Sequence, residues 1–337
     1  MHVKIYGAGS IGNHLTQASR RMGWEVTVVD VDPAAVERMK KDIYPKRYGA
    51  WDESIRLVTS ADEQKGGFDG IIIGTPPDVR MKLALAALDE APKFLLLEKP
   101  LCGPNDSLLL EFIQKLKTTK TKAFVGYDHA VAPSMRFACE LLEKCEIGTP
   151  LTIDSEFREH WGGIFAVHFW LSGPRDSYLG YRSRGGGASG ECSHALHQFY
   201  TLAHASGFGS WTRVESESIN DGDYDTLTTF TIRTADGRVG RVVQDVITRP
   251  SRKWARVQGE TGFVEWSGTP SSDTVSWEDT EGSGSRSFPK TRPDDFFAEL
   301  NHIHDVLTGV EPYEKSPIRI ETGIEVMHVL DGAMADS

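Results

Sequence analysis

The hexapeptide Gly7-Ala8-Gly9-Ser10-Ile11-Gly12 constrains this chain more than any other stretch. It follows the strand-forming run Val3-Lys4-Ile5-Tyr6 at once and opens a helix that extends to about Met22. A G-x-G-x-x-G pattern alone is weak evidence, but between a strand and a helix it is specific. The first glycine makes a tight turn, the second lets the backbone approach a pyrophosphate, and the third allows close helix–strand packing. The helix N-terminus then turns N–H groups and positive dipole toward the phosphates. A second strand, Glu25–Val29, ends in Asp30, about 20 residues on, where an acid accepts from ribose hydroxyls. Gly7, Gly9, Ser10, Ile11, Gly12, Asp30 and Val31 are therefore candidate dinucleotide-binding residues. The Asp30 carboxylate would repel a 2′-phosphate, and Val31-Asp32 offers no arginine to neutralise one, so NAD is expected in preference to NADP. Asp32, just before Pro33, reads as the cap of the next helix.

Further buried strands follow. Ile71–Ile73 leads into Thr75-Pro76-Pro77 and a helix from about Val79 to Leu88. Phe94–Leu97 then runs into Glu98-Lys99-Pro100, and a helix near Ser107–Lys117 leads to Ala123-Phe124-Val125-Gly126. Short apolar runs alternating with helices predict a doubly wound parallel sheet over residues 1–126. Ligands of such sheets sit beyond the carboxyl ends of the strands, which places Thr75, Pro76, Glu98 and Lys99 in the candidate site. On position alone, Thr75 reads equally as a turn hydroxyl and Lys99 equally as a surface lysine.

From Tyr127 the pattern changes. A helix, Ser134–Lys144, ends at Cys145-Glu146-Ile147-Gly148, and a strand follows from Pro150 to about Arg158. Strand-like segments come at Thr226–Arg233, Val239–Ile247 and Trp254–Gln258, with Asp236-Gly237 as a two-residue hairpin signal. Ser267–Pro289 reads as an exposed meander or a mobile loop. Closing helices are expected at about Asp294–Leu307 and Glu321–Ala333. Residues 127–337 are thus expected to form an α+β domain with an open, mainly antiparallel sheet. A length of 337 residues accommodates two such domains, and a net charge of −11 argues against nucleic acid or an anionic membrane as the main partner. Cys102, Cys139, Cys145 and Cys192 form no C-x-x-C pair and read as reduced thiols. No apolar run approaches the length of a membrane span and no signal peptide precedes the first strand, so a cytoplasmic protein is expected.

The second domain carries one chemically dense stretch, Tyr181-Arg182-Ser183-Arg184-Gly185-Gly186-Gly187-Ala188-Ser189-Gly190-Glu191-Cys192-Ser193-His194-Ala195-Leu196-His197. On one helix, Glu191, His194 and His197 would share a face. Three readings compete: a metal site, for which no fourth ligand is evident; a structural helix face; and an acid–base site in which a carboxylate orients a histidine. Arg182 and Arg184 could hold a carboxylate or phosphate of a substrate, or pair with acidic neighbours.

Taken together, the glycine motif, Asp30-Val31-Asp32, Thr75-Pro76-Pro77, Glu98-Lys99-Pro100 and Val125-Gly126-Tyr127-Asp128-His129 resemble the glucose–fructose oxidoreductase/inositol dehydrogenase/rhizopine catabolism family over nearly the whole chain. The resemblance implies a Rossmann domain joined to an open-sheet domain, and NAD(P)-dependent oxidation or reduction of sugars and polyols. It implies Lys99 as the catalytic lysine, with His194 as proton acceptor and Glu191 as the acid beside it. Tyr127, Asp128, His129, Arg182 and His197 would lie on the substrate side, with no metal. The chain departs from the pattern at Asp128, where the family has asparagine, and at His197, where it often has aspartate. A sugar-like, possibly anionic substrate and a homodimer or homotetramer are what the resemblance implies. Two alternatives stay open: a redox-assisted lyase, epimerase or glycosidase that retains NAD tightly, and a non-catalytic NAD-binding sensor or scaffold.

Overall fold

The computed structural model describes residues 1–144 and 147–335; Cys145 and Glu146, at the expected end of the helix from Ser134, lie outside them. The chain forms two compact units, residues 1–126 with 293–320, and 127–292 with 321–337. Residues 293–320 thus belong with the first unit, although sequence reading assigned everything after Gly126 to the second.

The first unit is built on six parallel strands: β1 (His2–Tyr6), β2 (Glu25–Asp30), β3 (Arg56–Thr59), β4 (Gly70–Ile73), β5 (Phe94–Leu97) and β6 (Lys122–Val125). Their order is β3-β2-β1-β4-β5-β6, the doubly wound arrangement, with the crossover between β1 and β4. The connecting helices are α1 (Ser10–Arg21), α2 (Pro33–Arg38), α3 (Tyr44–Tyr48), α4 (Pro77–Asp89) and α5 (Leu109–Leu116). Ile71, Ile72, Ile73, Leu95, Leu96 and Leu97 are wholly buried, as strands covered on both faces require. Lys4 is a charged residue within this core. It is fully buried, with its Nζ 2.8 Å from Glu63 Oε1 and 2.6 Å from Glu90 Oε1. A central-strand lysine survives there because two carboxylates satisfy it.

The second unit contains α6 (Pro133–Lys144), α7 (Trp161–Ala166), α8 (Gly187–Glu191) and α9 (His194–Ser206). Its strands are β7 (Pro150–His160), β8 (Trp211–Asp221), β9 (Tyr224–Thr234), β10 (Val239–Asp245), β11 (Ile247–Gly259), β12 (Phe263–Gly268), β13 (Ser272–Glu278) and β14 (Ser283–Pro289). They form one sheet in the order β14-β13-β12-β11-β7-β10-β9-β8. All pairs are antiparallel except β7 with β10. One face alternates Ile153, Ser155 and Phe157 with Val264, Trp266 and Val275, all buried, beneath α6 and α9.

Three local expectations change. Ser267–Pro289 is the meander, not a loop: β13 and β14 extend the sheet edge, and their serines and threonines satisfy a solvated face. β8 escaped notice because its run of Glu and Ser residues shows no apolar alternation. The Asp236-Gly237 hairpin has three loop residues, closed by Thr234 N–H donating to the Arg238 carbonyl at 3.1 Å, with Gly237 at φ +87°. A left-handed glycine at the end of such a loop is the usual solution for that length.

Candidate functional site

In the first unit the glycine turn has the geometry its spacing predicts. Gly7 sits at φ +103°, and a Cβ there would lie 3.1 Å from the Gly74 carbonyl oxygen; a Cβ on Gly12 would lie 1.8 Å from the Gly7 carbonyl oxygen. Any side chain at Gly12 would push α1 off β1. At Gly9, by contrast, a Cβ would meet no atom within 4 Å, and no side chain caps the start of α1 there. Asn13 pins the turn from inside, its Nδ2 donating to Ala8 O at 3.1 Å and Gly9 O at 2.7 Å. The Asp30 carboxylate accepts from Ala8 N–H at 2.7 Å and from Asp32 N–H at 2.9 Å, so it braces the turn and its own loop. Asp32 caps α2 through Ala34 N–H at 2.9 Å, while Val31 is 82% exposed. Ile11 packs its Cγ2 toward Gly74, and Pro76 is the residue before α4. Thr75 Oγ1 is buried and has no hydrogen-bond partner in the structure. Open space at Gly9 between two glycines that leave no room for a side chain, at the start of α1, fits a dinucleotide phosphate.

The Lys99 turn lies at the carboxyl end of β5, on the same edge of the sheet. Glu98 is only 4% exposed. Its carboxyl group fills the space where a Cβ on Gly126 would be, 2.9 Å away, and its Oε2 accepts from Lys99 N–H at 3.1 Å. Lys99 is half-buried, and the Lys99–Pro100 peptide is cis. Beneath it lies a residue that sequence reading missed. Arg80, on α4 and 2% exposed, donates from its guanidinium to the carbonyls of Thr75, Glu98 and Pro100. It therefore ties the ends of β4 and β5 together on both sides of Lys99. Another omission is Arg47, whose Nη1 donates to Ser10 O at 3.0 Å and Nη2 to Ser10 Oγ at 2.9 Å.

In the second unit, Glu191, His194 and His197 do not share one helix. α8 ends at Glu191, Cys192 and Ser193 break the path, and α9 begins at His194. Helical spacing across the break therefore does not hold, although His194 and His197 remain on one helix. His197 stacks on the buried Tyr127 ring, with centroids 4.1 Å apart and planes at 9°, and its Nε2 lies 3.2 Å from Thr322 Oγ1. It is a buried support for Tyr127. The Tyr127 hydroxyl donates to Ser193 Oγ at 3.4 Å. Asp128 is a carboxylate close to His194: His194 Nδ1 and His129 Nε2 each lie 3.9 Å from Asp128 Oδ1, and the two rings meet edge to face at 4.9 Å. Arg292 Nη1 holds the other oxygen, Asp128 Oδ2, at 2.5 Å. Arg182 lies 4.0 Å from the buried Asp225, which also accepts from Ser189 N–H at 2.7 Å and braces the glycine run. That is the acidic-neighbour arrangement weighed for Arg182.

Burial is the largest single influence and by itself would raise the Asp128 pKa, but Arg292, His129 and His194 together outweigh it and hold the carboxyl well below the usual carboxylate range. His129 moves the other way. Burial drives its ring well below the ordinary imidazole value; Asp128 opposes this, and Lys253, Arg292 and Lys290 reinforce it. The His129 ring is thus neutral at pH 7, and Arg292 is the cation that balances Asp128 there. Among the described residues, Asp128, His129 and His194 form a group with ligand-capable atoms within 4.8 Å of one another. This group omits Glu191 and His197, and Arg292 already supplies the positive charge a metal would.

Stability should follow from this. A base whose pKa is lowered on folding contributes stability that is intact above its unfolded pKa, about 6.5, and is lost as pH falls toward the folded value. Wild type should therefore lose up to about 1.4 kcal/mol per pH unit through His129 below that point, and His129→Phe should lack that increment. Denaturant melts from pH 7.5 to 5 check this; equal slopes in the two proteins would refute the assignment.

No protein-family model matches the sequence, and no curated protein matches it. Solved structures do resemble it. A levoglucosan dehydrogenase in complex with NADH and levoglucosan is 16% identical, with a TM-score of 0.77 over 100% of this chain and 98% of that one. GenD2 from gentamicin A biosynthesis, in complex with NAD, is 17% identical, with a TM-score of 0.74 over 99% of this chain and 93% of the other. A UDP-N-acetylglucosamine 3-dehydrogenase from Acidithiobacillus ferrooxidans is 14% identical, with a TM-score of 0.71 over 99% and 96%. At these identities the likeness establishes the fold: a Rossmann-like unit followed by a mainly antiparallel sheet unit.

Proposed function

We propose that this protein is an NAD-dependent oxidoreductase that moves hydride between nicotinamide and a secondary alcohol or ketone of a sugar or sugar-derived substrate. The observation that carries the reading is the pairing, on one sheet edge, of the glycine-only cradle after β1 with the Lys99 turn after β5. The resemblance of the motifs supports it, as do the NAD or NADH and the sugars bound in the structural neighbours. The Asp30 carboxylate, close to where a ribose would lie, supports NAD over NADP.

When bound, the dinucleotide supplies the hydride acceptor. Ser10 and the N–H groups at the start of α1 would bind its phosphates, and Asp30 its ribose. Lys99 stabilises the alkoxide that develops on the sugar oxygen. His194, with Nδ1 turned to Asp128, takes the hydroxyl proton at Nε2. Asp128, 3.9 Å from His194 Nδ1, would orient that ring beside or in place of Glu191, and Tyr127 and His129 would shape the substrate side. Incubating the purified protein with NAD and levoglucosan, UDP-N-acetylglucosamine or free aldoses should give NADH absorbance with at least one sugar. NAD binding without turnover of any would favour the sensor alternative and overturn this reading.

A further inference from the structure

Arg47 belongs to no motif, yet it reaches the most sensitive point of the cradle. It lies on α3, at the end of a helical stretch that starts at Pro33 and passes through a wider turn at Met39–Ile43. From there its guanidinium takes both oxygens of Ser10, the first residue of α1. A serine hydroxyl has one proton to donate and can accept two bonds, whereas arginine only donates. With Arg47 Nη2 on Ser10 Oγ, the hydroxyl proton is left for an acceptor elsewhere. The neighbouring residue is Gly9, beside which there is open space. Burial also lowers the Arg47 pKa, the mark of a cation drawn away from water.

We propose that Arg47 and Ser10 act as a unit that recognises the pyrophosphate of the dinucleotide, Arg47 by charge and by fixing the Ser10 hydroxyl as a donor. The proposal rests on the NAD reading above and adds a phosphate-specific cation to it. The adenine and ribose are recognised elsewhere, so the two contributions separate experimentally.

The test compares the affinities of wild type, Arg47→Ala, Arg47→Lys and Ser10→Ala for NADH, ADP-ribose and adenosine, by calorimetry or NADH fluorescence, with melting temperatures measured alongside. Arg47→Ala should bind NADH and ADP-ribose at least tenfold more weakly and adenosine within twofold of wild type, with a shallower salt dependence. Arg47→Lys keeps the charge but cannot span both Ser10 oxygens, so it should fall between. Ser10→Ala leaves Arg47 in place and guards against a folding failure of the arginine variants; it should weaken ADP-ribose at least threefold. Equal losses for adenosine and ADP-ribose would mean a packing role only, and unchanged ADP-ribose affinity would overturn the proposal outright. Failure of wild type to bind NADH or ADP-ribose would instead refute the NAD reading, and the inference with it.

Discussion

Lys99→Met should lower kcat for sugar oxidation about a thousandfold while NADH binds within twofold of wild type. The residue stands at the end of a rigid strand: Leu95, Leu96 and Leu97 are wholly buried, and Glu98 is wedged against Gly126. Its backbone is fixed on both sides by Arg80, so methionine can occupy the position without moving the turn. What disappears is the ammonium, and with it the stabilisation of charge on the reacting oxygen that we propose for it. Stopped-flow measurement of hydride transfer, alongside NADH titration, separates the two effects. A variant with near-normal turnover would remove Lys99 from the mechanism; one that binds no NADH would make it a binding residue.

Arg80→Met should destabilise the protein by about 3–5 kcal/mol, the range for breaking a buried charged network. Carbonyls at Thr75, Glu98 and Pro100 would lose their donor in a region closed to water, and each unsatisfied group costs about 1–3 kcal/mol. Because two of those carbonyls flank Lys99, the variant should also raise the mobility of that turn. Urea denaturation measures the first effect and hydrogen exchange at residues 98–101 the second. A change below about 1 kcal/mol would show that water or rearranged donors replace the guanidinium.

These two residues also mark what could and could not be read from the chain. The place of Lys99 at the end of a buried strand was legible because its signal is local: an apolar strand, then Glu-Lys-Pro. The glycine turn, Asp30 and the Asp32 cap were legible for the same reason, since each depends on neighbours within a turn or on a fixed motif spacing. Arg80 was not, because its partners lie up to 20 residues away and α4 shows it as one polar residue among others. Arg47 reaches Ser10 across 37 residues, and Arg292 reaches Asp128 across 164; no periodicity encodes such pairings. The expectation of one continuous helix through Glu191, His194 and His197 fails for another reason. The spacing to His194 and His197 is helical only if the helix is continuous, and Cys192-Ser193 interrupts it. His197 stacks on Tyr127 and lies 3.2 Å from Thr322 Oγ1, contacts that no local spacing announces.

The central claim, hydride transfer between a sugar carbon and nicotinamide, is tested most directly by isotope. A sugar that reduces NAD in the panel, deuterated at its reacting carbinol carbon, should deliver one deuterium to C4 of NADH in wild type, read by mass spectrometry, with the transfer about a thousandfold slower in Lys99→Met. NADH formed without deuterium, product formed without NADH, or no sugar of the panel turned over would contradict it.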